Sequence, residues 1–138
     1  MDIEYKKYKD NHLVYNDGRV YSLISNKFLK FDYSNSGYAR LKLNGKSVRV
    51  HRLVMELFKG PSDLTVDHIN GNKHDNRLCN LQYVTVEENA RLYWERNKLA
   101  KLIDNKNKLL IKLNKINKEI KAKTNEELRK ISKRLNQD

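Results

Sequence analysis

The most polar part of the sequence lies between residues 66 and 81, where His, Asp and Asn side chains are concentrated. It is flanked by residues 64–66 and 82–84, which have the residue types of strands. Carboxylate and amide oxygens are suitable ligands for a hard divalent cation, and an imidazole can act as a base near neutral pH. A surface loop tolerates Asn but rarely combines all three residue types at this density, so the segment is the first candidate for a catalytic site.

The segment belongs to a longer pattern that consists of residues 50–54 (VHRLV), 66–72 (VDHINGN) and 80–85 (NLQYVT), together with Asn76 and Asn89. In these residues and their spacing, the sequence resembles the HNH endonucleases of the phage and intron-encoded homing type. It covers about a third of the chain, roughly residues 48–91. The preceding hairpins resemble the small β-rich module that often comes before this motif, whereas the C-terminal third carries no such resemblance.

The resemblance implies a ββα-metal fold and gives roles to four residues of this sequence. Asp67 resembles the carboxylate metal ligand, and His68 resembles the general base. Asn80 resembles the middle Asn, which braces the loop that orients the histidine, and Asn89 resembles the last metal ligand. Many relatives have His there, but Asn is the homing-type variant, and its amide oxygen suits magnesium better than an imidazole would. The implied cofactor is one Mg²⁺ (or Mn²⁺) per active site, and the implied products of DNA hydrolysis are 5′-phosphate and 3′-hydroxyl ends.

A helix-capping pattern places Asn89 independently of the resemblance. Thr85 and Glu88 have the spacing of a capping box, in which the two side chains satisfy backbone N–H groups at the start of a helix. Asn89 therefore falls in the first turn of the predicted helix. A plain position on the helix surface is the alternative for this residue.

Other residues of the motif region have less specific interpretations. His51 matches a family position but opens an amphipathic segment, so packing or capping is favoured over catalysis. His74 lies in the middle of the loop, outside the motif, and is expected to face solvent or DNA. Asn76 is expected to tie the loop to its own backbone, as Asn often does in turns. For His68, the alternative is a loop histidine without a role.

Turn signals and periodicity predict the elements that must position these residues. Residues 13–24 read as a hairpin around an Asp-Gly turn, and residues 38–50 as a second hairpin around an Asn-Gly turn. Residues 28–31 are predicted to form a further strand. Alternate apolar residues in the second hairpin predict one buried face. Apolar residues at helical spacing then predict a short helix over residues 51–59, ended by Gly and Pro.

The last third of the sequence is predicted to be helical. All five glycines precede residue 72, and nothing from Thr85 to about Lys121 breaks a helix. Apolar residues over 99–120 form a heptad seam of about three repeats, which Lys106 weakens. Thr124 begins a second capping-box pattern, so we expect a break near residues 122–124 and a short final helix that folds back or continues.

Charge separates residues 97–138 from the rest of the chain, and the family resemblance separates the first 96 residues into two further predicted regions. Residues 1–47 are the β-hairpin region, 48–96 the HNH core and 97–138 the basic helical tail, so the predicted fold class is α+β. The tail has 13 basic and 5 acidic side chains, a net charge of +8 out of +12 for the whole chain. An excess of this size makes a polyanion the first partner to consider and an acidic membrane surface the second.

Several classes of protein are excluded by composition. No stretch approaches the about 18 consecutive apolar residues that suggest a transmembrane helix. The amino terminus lacks the apolar run of a signal peptide, and the single Cys79 allows neither an internal disulfide nor a Cys-pair zinc site. We therefore expect a cytoplasmic protein, in the cytoplasm of the host cell if a phage encodes it.

Double-stranded DNA is the predicted partner, and no membrane is expected. Basic side chains near the motif are candidates for phosphate contact, although a solvated role is an equal alternative for each of them. These residues are Arg49, Arg52, Lys73, Arg77 and Arg91.

The basic tail itself has three interpretations. It could lie along DNA, form a homodimer through the 99–120 seam, or pack on itself as a helical hairpin. We favour DNA contact with self-packing, because a short seam interrupted by Lys106 is a weak dimer interface.

The predicted function is a metal-dependent DNA endonuclease that cuts one strand or both. One rival is a non-catalytic DNA-binding module with a decayed site, which the intact set of motif residues opposes. The other is a helical assembly protein that acts through its tail, which would leave the spacing of the motif as coincidence. The motif residues are Asp67, His68, Asn80 and Asn89.

Overall fold

A computed structural model describes residues 2–135 of the chain. The chain divides into a compact unit that ends at Tyr93 and a helical unit that begins at Trp94. The strands of the described chain and one complete helix lie in the compact unit. The fold class is therefore α+β, as predicted.

The N-terminal part of the compact unit is an antiparallel sheet. Its strands are β1 (Tyr5–Tyr8), β2 (His12–Tyr15), β3 (Val20–Ser22) and β4 (Lys27–Phe28), which pair in chain order. The β2–β3 hairpin and its Asp-Gly turn are as predicted. Strand β1 was missed, because its residues are almost all exposed and give no alternation of apolar and polar side chains.

A second antiparallel sheet follows and leads into the first helix. It consists of β5 (Asp32–Tyr33), β6 (Ala39–Leu43) and β7 (Lys46–Arg49). The alternation predicted for β6 is confirmed, since every second residue of it is buried. The predicted strand over residues 28–31 is wrong beyond Phe28, the last residue of β4, because the chain then crosses from the first sheet to the second. Leu29 and Phe31 pack against the hydrophobic core within this crossing.

Helix α1 (Val50–Lys59) supplies the centre of the hydrophobic core, and its bounds agree with the prediction to one residue. Leu53 and Val54 are almost completely buried, together with apolar side chains from both sheets. Each such side chain contributes about 1.5–3 kcal/mol by leaving water. The helix ends at Gly60, which has a positive φ of 92° and donates its N–H to the Glu56 carbonyl at 3.1 Å.

The last part of the compact unit has the order strand, loop, strand, helix. Strand β8 (Thr65–His68) pairs antiparallel with β9 (Leu81–Val84), and a short 3₁₀ turn (Leu78–Asn80) ends the loop between them. The Thr85 half of the capping box predicted for the following helix α2 (Val86–Leu135) is confirmed, because the Glu88 N–H donates to Thr85 Oγ1 at 3.1 Å. The Glu88 carboxylate, which was expected to reach back to the start of the helix, accepts hydrogen bonds from Arg91 instead. This arrangement places Asp67 and His68 on a paired strand and Asn89 in the first turn of α2.

Helix α2 runs without interruption through the residues where a break was predicted, so that prediction is wrong. Thr124 does not cap a new helix. Its hydroxyl donates instead to the Ile120 carbonyl at 2.9 Å, a bond that Thr can make inside a continuous helix. The helical hairpin that was expected to pack on itself is therefore wrong as well. Neither helix within residues 2–135 combines the length and apolar character needed to span a bilayer.

Candidate active site

Asp67 and His68 are adjacent buried residues at the end of β8. In the pairing with β9, Asp67 lies opposite Gln82 and His68 lies opposite Leu81. Gln82 Nε2 donates a hydrogen bond of 2.9 Å to Asp67 Oδ2. The strand pair thus fixes the backbone of both residues, and Gln82 orients the carboxylate.

The imidazole of His68 is oriented by Asn76. His68 Nε2 lies 3.3 Å from Asn76 Oδ1, and both side chains are buried. Asn76 Nδ2 donates to the His74 carbonyl at 3.2 Å. Because a carbonyl can only accept, the amide oxygen of Asn76 must face the histidine, and Nε2 must carry the ring proton. The lone pair that a general base needs is therefore on Nδ1.

Burial keeps this imidazole neutral. The pKa of His68 lies below its usual value of 6.5 because burial disfavours the charged ring. The hydrogen bond that His68 donates to Asn76 and the negative charges of Asp67 and Asp75 raise the pKa, but burial outweighs them. At neutral pH, His68 is consequently in the form that can accept a proton.

The side chain of Asn80 connects both ends of the loop between β8 and β9. Asn80 Oδ1 accepts the Asn70 backbone N–H at 3.0 Å. Asn80 Nδ2 donates to Asn70 Oδ1 at 3.0 Å and to the Asp75 carbonyl at 2.8 Å. Since Asn80 is only 7% exposed, these bonds are shielded from water. They hold the backbone that follows His68 against the backbone that precedes β9.

Replacing Asn80 with alanine is expected to lower the free energy of unfolding by about 1–3 kcal/mol, because the hydrogen bonds of the buried Asn80 side chain to Asn70 and Asp75 are lost. Urea denaturation measures the change. Asn35→Ala is the control, because Asn35 is exposed in the β5–β6 turn, and a surface change of this kind stays within about 0.5 kcal/mol. Equal losses in the two variants would contradict the bracing of the loop by Asn80.

Asp75 organises the middle of the same loop. It accepts hydrogen bonds from Arg77 Nε at 2.7 Å, from Arg77 Nη2 at 2.6 Å and from Asn70 Nδ2 at 2.9 Å. The Arg77 guanidinium is the main reason that the pKa of Asp75 falls from its usual 3.8 to about 2. Arg77, which was predicted to contact DNA, is thus paired within the protein, with its side chain 59% exposed.

His51 and Tyr38 lie next to His68. The His51 ring is 5.2 Å from the His68 ring and 4.9 Å from the Tyr38 ring, between centroids. His51 is buried, and the pKa of its imidazole falls to about 3, first through burial and then through the nearby His68, Arg49 and Arg52. Arg52 is itself half-buried on α1. His51 is therefore a neutral packing partner of the histidine on β8.

Three of the predicted DNA-contacting residues lie at the surface near these elements. Lys73 Nζ donates to the Ser36 carbonyl at 2.9 Å and lies 4.6 Å from the centroid of the Tyr38 ring. The guanidinium carbon of Arg49 lies 5.6 Å from the same ring. Arg91 makes an ion pair of 2.6 Å with Glu88 on α2. Each of these side chains is exposed.

Asp67 and Asn89 are the residues that could hold a metal ion. Asp67 offers a buried carboxylate, and Asn89 is half-buried in the first turn of α2, where its N–H donates to the Thr85 carbonyl at 3.0 Å. Within residues 2–135, no three His, Cys, Asp or Glu side chains gather into a metal cage. Mg²⁺ does not need such a cage, since it is usually bound by one or two carboxylates together with water and phosphate oxygens. The oxygen donors present therefore fit this ion.

Sequence reasoning missed two residues of the site and part of the role of a third. Gln82 could have been found from the strand register, because pairing His68 with Leu81 places Gln82 opposite Asp67. No feature of the sequence indicated that Tyr38 lies beside the site. Asn76 bonds the loop backbone as predicted, but its amide oxygen also faces His68.

The order of elements, a strand pair that carries Asp-His, a braced loop and a following helix that carries Asn, is the order that the resemblance implies for a ββα-metal fold. The sequence profile of the HNH endonuclease family matches residues 48–91. The chain belongs to this family.

Similar proteins come from phages and a giant virus. The chain is 40% identical over 100 residues to the DNA endonuclease I-HmuI of Bacillus phage SP01. This alignment covers 68% of this chain and 58% of that protein. The chain is 35% identical over 86 residues to the uncharacterized HNH endonuclease L245 of Acanthamoeba polyphaga mimivirus, covering 58% of this chain and 26% of that protein. The chain therefore spans only part of these relatives.

A solved structure is also similar. The structure shows DNA binding and cleavage by the HNH homing endonuclease I-HmuI, according to its description. It matches this chain with a TM-score of 0.61 and 36% sequence identity. The match covers 74% of this chain and 66% of that one.

Proposed function

We propose that this chain is a metal-dependent endonuclease that hydrolyses phosphodiester bonds of double-stranded DNA. The observation that carries the proposal is the neutral, buried His68 beside Asp67, with Nδ1 as its basic nitrogen. Membership of the HNH family and the similarity to I-HmuI, which is described as binding and cleaving DNA, support it. The net charge of +12 is suited to a polyanionic substrate.

In the proposed reaction, His68 acts on water. A phosphodiester resists hydrolysis because the anion repels hydroxide and the leaving alkoxide is unstable. Nδ1 of His68 removes a proton from the attacking water, while Nε2 stays bonded to Asn76 and keeps the ring in place. A divalent cation on Asp67 and Asn89 would supply positive charge at the scissile phosphate and the leaving 3′ oxygen. The P–O3′ bond breaks and the leaving oxygen takes a proton from solvent water, so the expected products are a 5′-phosphate and a 3′-hydroxyl.

Incubation with supercoiled plasmid tests this function. We expect conversion to open-circle DNA with Mg²⁺ or Mn²⁺ and none with EDTA, because removing the cation removes charge stabilisation worth several kcal/mol. Agarose gels resolve the two forms. Linear DNA as the first product would mean that two active sites act together. Retardation of DNA without cleavage in either metal would replace the endonuclease by a non-catalytic DNA-binding module.

The basic helix α2 is proposed to contact DNA. Its apolar residues at heptad spacing between Leu99 and Ile120 are more than half exposed on the helix. The alternatives remain a homodimer through this stripe and an assembly protein that uses it to bind other helices. Light scattering distinguishes the dimer, because it reports a mass of 16.4 kDa for one chain or twice that value for a pair.

A further inference from the structure

The turn between β2 and β3 packs directly against the loop of the candidate active site. Gly18 in this turn is buried, with a φ of +90°, and a Cβ added to it would lie 2.9 Å from the backbone oxygen of Asn76. The Asn16 carbonyl accepts the backbone N–H of Leu78 at 2.8 Å. The turn therefore touches the loop at Asn76 and bonds to it two residues later.

The turn is itself firmly held. Asn16 is 6% exposed, and its Nδ2 donates to the Asp2 carbonyl at 2.8 Å while its Oδ1 accepts the Glu4 N–H at 3.2 Å. On the other side, Arg19 bonds to Asp17 Oδ2 at 2.7 Å through Nε. A turn fixed in this way can act as a rigid support for the loop that rests on it.

Asn76 connects this support to the histidine. Its backbone lies against Gly18, and its side-chain oxygen faces His68 Nε2 at 3.3 Å. Only glycine leaves room for so close an approach, since a Cβ at 2.9 Å from a backbone oxygen forces one of the two segments to move. The contact is specific to this hairpin, because a Cβ added at Gly45, in the turn between β6 and β7, would meet nothing within 4 Å.

We propose that the β2–β3 turn, residues 16–19, positions His68 through Asn76. The turn sets the place of the Asn76 backbone, and the Asn76 amide oxygen then holds the Nε2–H of the histidine. The N-terminal sheet is thereby a support of the active site as well as a folding unit. An effect of the turn on catalysis rests on the proposed endonuclease function. Its effect on the orientation of the histidine can be tested even if the protein does not cleave DNA.

The first test compares Gly18→Ala with Gly45→Ala. Both glycines have positive φ, +90° and +79°, so both variants acquire the same kind of backbone strain. Only Gly18→Ala displaces Asn76. We expect its single-turnover nicking rate at saturating protein to fall about 10–100-fold, as for other losses of a histidine-orienting contact, with the Kd for DNA unchanged. Gly45→Ala should keep its rate within about twofold. Equal rates in the two variants would overturn the proposal.

The second test measures directly which nitrogen of the His68 ring carries the proton. Imidazole nitrogen chemical shifts in ¹⁵N-labelled protein distinguish the Nε2–H from the Nδ1–H tautomer, and the signal that disappears in His68→Ala is the signal of this residue. We expect the Nε2–H form in wild type and in Gly45→Ala, and a tautomer mixture in Gly18→Ala and Asn76→Leu. Asn76→Asp keeps an oxygen acceptor for Nε2–H, but its carboxylate also raises the pKa of His68. In spectra recorded above that pKa, this variant should restore the Nε2–H form. The same pure tautomer in Gly18→Ala or Asn76→Leu as in wild type would overturn the proposal.

These two tests distinguish failure of the endonuclease function from failure of the proposal that the turn positions His68. If wild type does not cleave DNA, the endonuclease function fails, while the ring signals still decide whether the turn positions His68. If Gly18→Ala does not fold, Asn16→Ala replaces it, because this variant removes the bonds to Asp2 and Glu4 without adding an atom at Gly18. It should also give a mixture of tautomers, and an unchanged ring signal in a folded Asn16→Ala protein would contradict the proposal.

Discussion

Replacing His68 with alanine is expected to lower the single-turnover rate of DNA nicking by about 10²–10⁴, the usual contribution of a positioned general base. The effect should be large because the ring is buried, neutral and fixed through Nε2, so that its proton-accepting nitrogen cannot be replaced by rearrangement of the loop. Conversion of supercoiled to open-circle plasmid under saturating protein measures the rate. Affinity for DNA should not change, since the histidine carries no charge at neutral pH.

His74→Ala is the matched control for this experiment. It removes the same residue type from the same loop, but the His74 side chain is exposed and contacts Tyr33 with the rings tilted and their centroids 4.5 Å apart. Its single-turnover rate should stay within about twofold of wild type. Nicking by His68→Ala at the wild-type rate would show that the base is elsewhere and would remove the main support of the proposed mechanism.

Local sequence patterns were sufficient to predict much of the fold. The Asp-Gly and Asn-Gly turns predicted both hairpins, and the spacing of Leu53, Val54 and their neighbours predicted α1. The capping box at Thr85 gave the start of α2. The same pattern at Thr124 was misleading, because a Thr-x-x-Glu sequence can also occur inside a helix, where the hydroxyl bonds to a carbonyl one turn earlier.

Some residues of the candidate site could be predicted from the local sequence, whereas others depend on contacts between distant segments. The motif identified Asp67 and His68, and the strand that carries them extends two residues further than predicted because they pair with Gln82 and Leu81. The contact between Gly18 and the Asn76 backbone could not be predicted, since it joins segments far apart in the chain and depends on their packing. In the sequence, Gly18 was only a turn residue.

Exchange of Asp67 for asparagine is expected to reduce metal-dependent nicking by about 10² or more. Charge stabilisation by a bound cation is worth several kcal/mol, and each 1.36 kcal/mol is about a factor of ten in rate. The variant should remain folded, because an Asn oxygen can still accept the 2.9 Å hydrogen bond from Gln82. What it lacks is the negative charge that we propose binds Mg²⁺. The Mg²⁺ concentration that gives half the maximal rate should therefore rise, and a titration of nicking against Mg²⁺ measures it.

Asp63→Asn separates the loss of a ligand from the general loss of one negative charge. Asp63 is an exposed carboxylate shortly before β8, so its neutralisation changes the net charge equally while leaving the end of the strand intact. We expect the Mg²⁺ dependence of this variant to match wild type. If Asp67→Asn shows the same Mg²⁺ dependence as Asp63→Asn, then Asp67 does not bind the cation. The role of the carboxylate would then be limited to its bond with Gln82 and its effect on the pKa of His68.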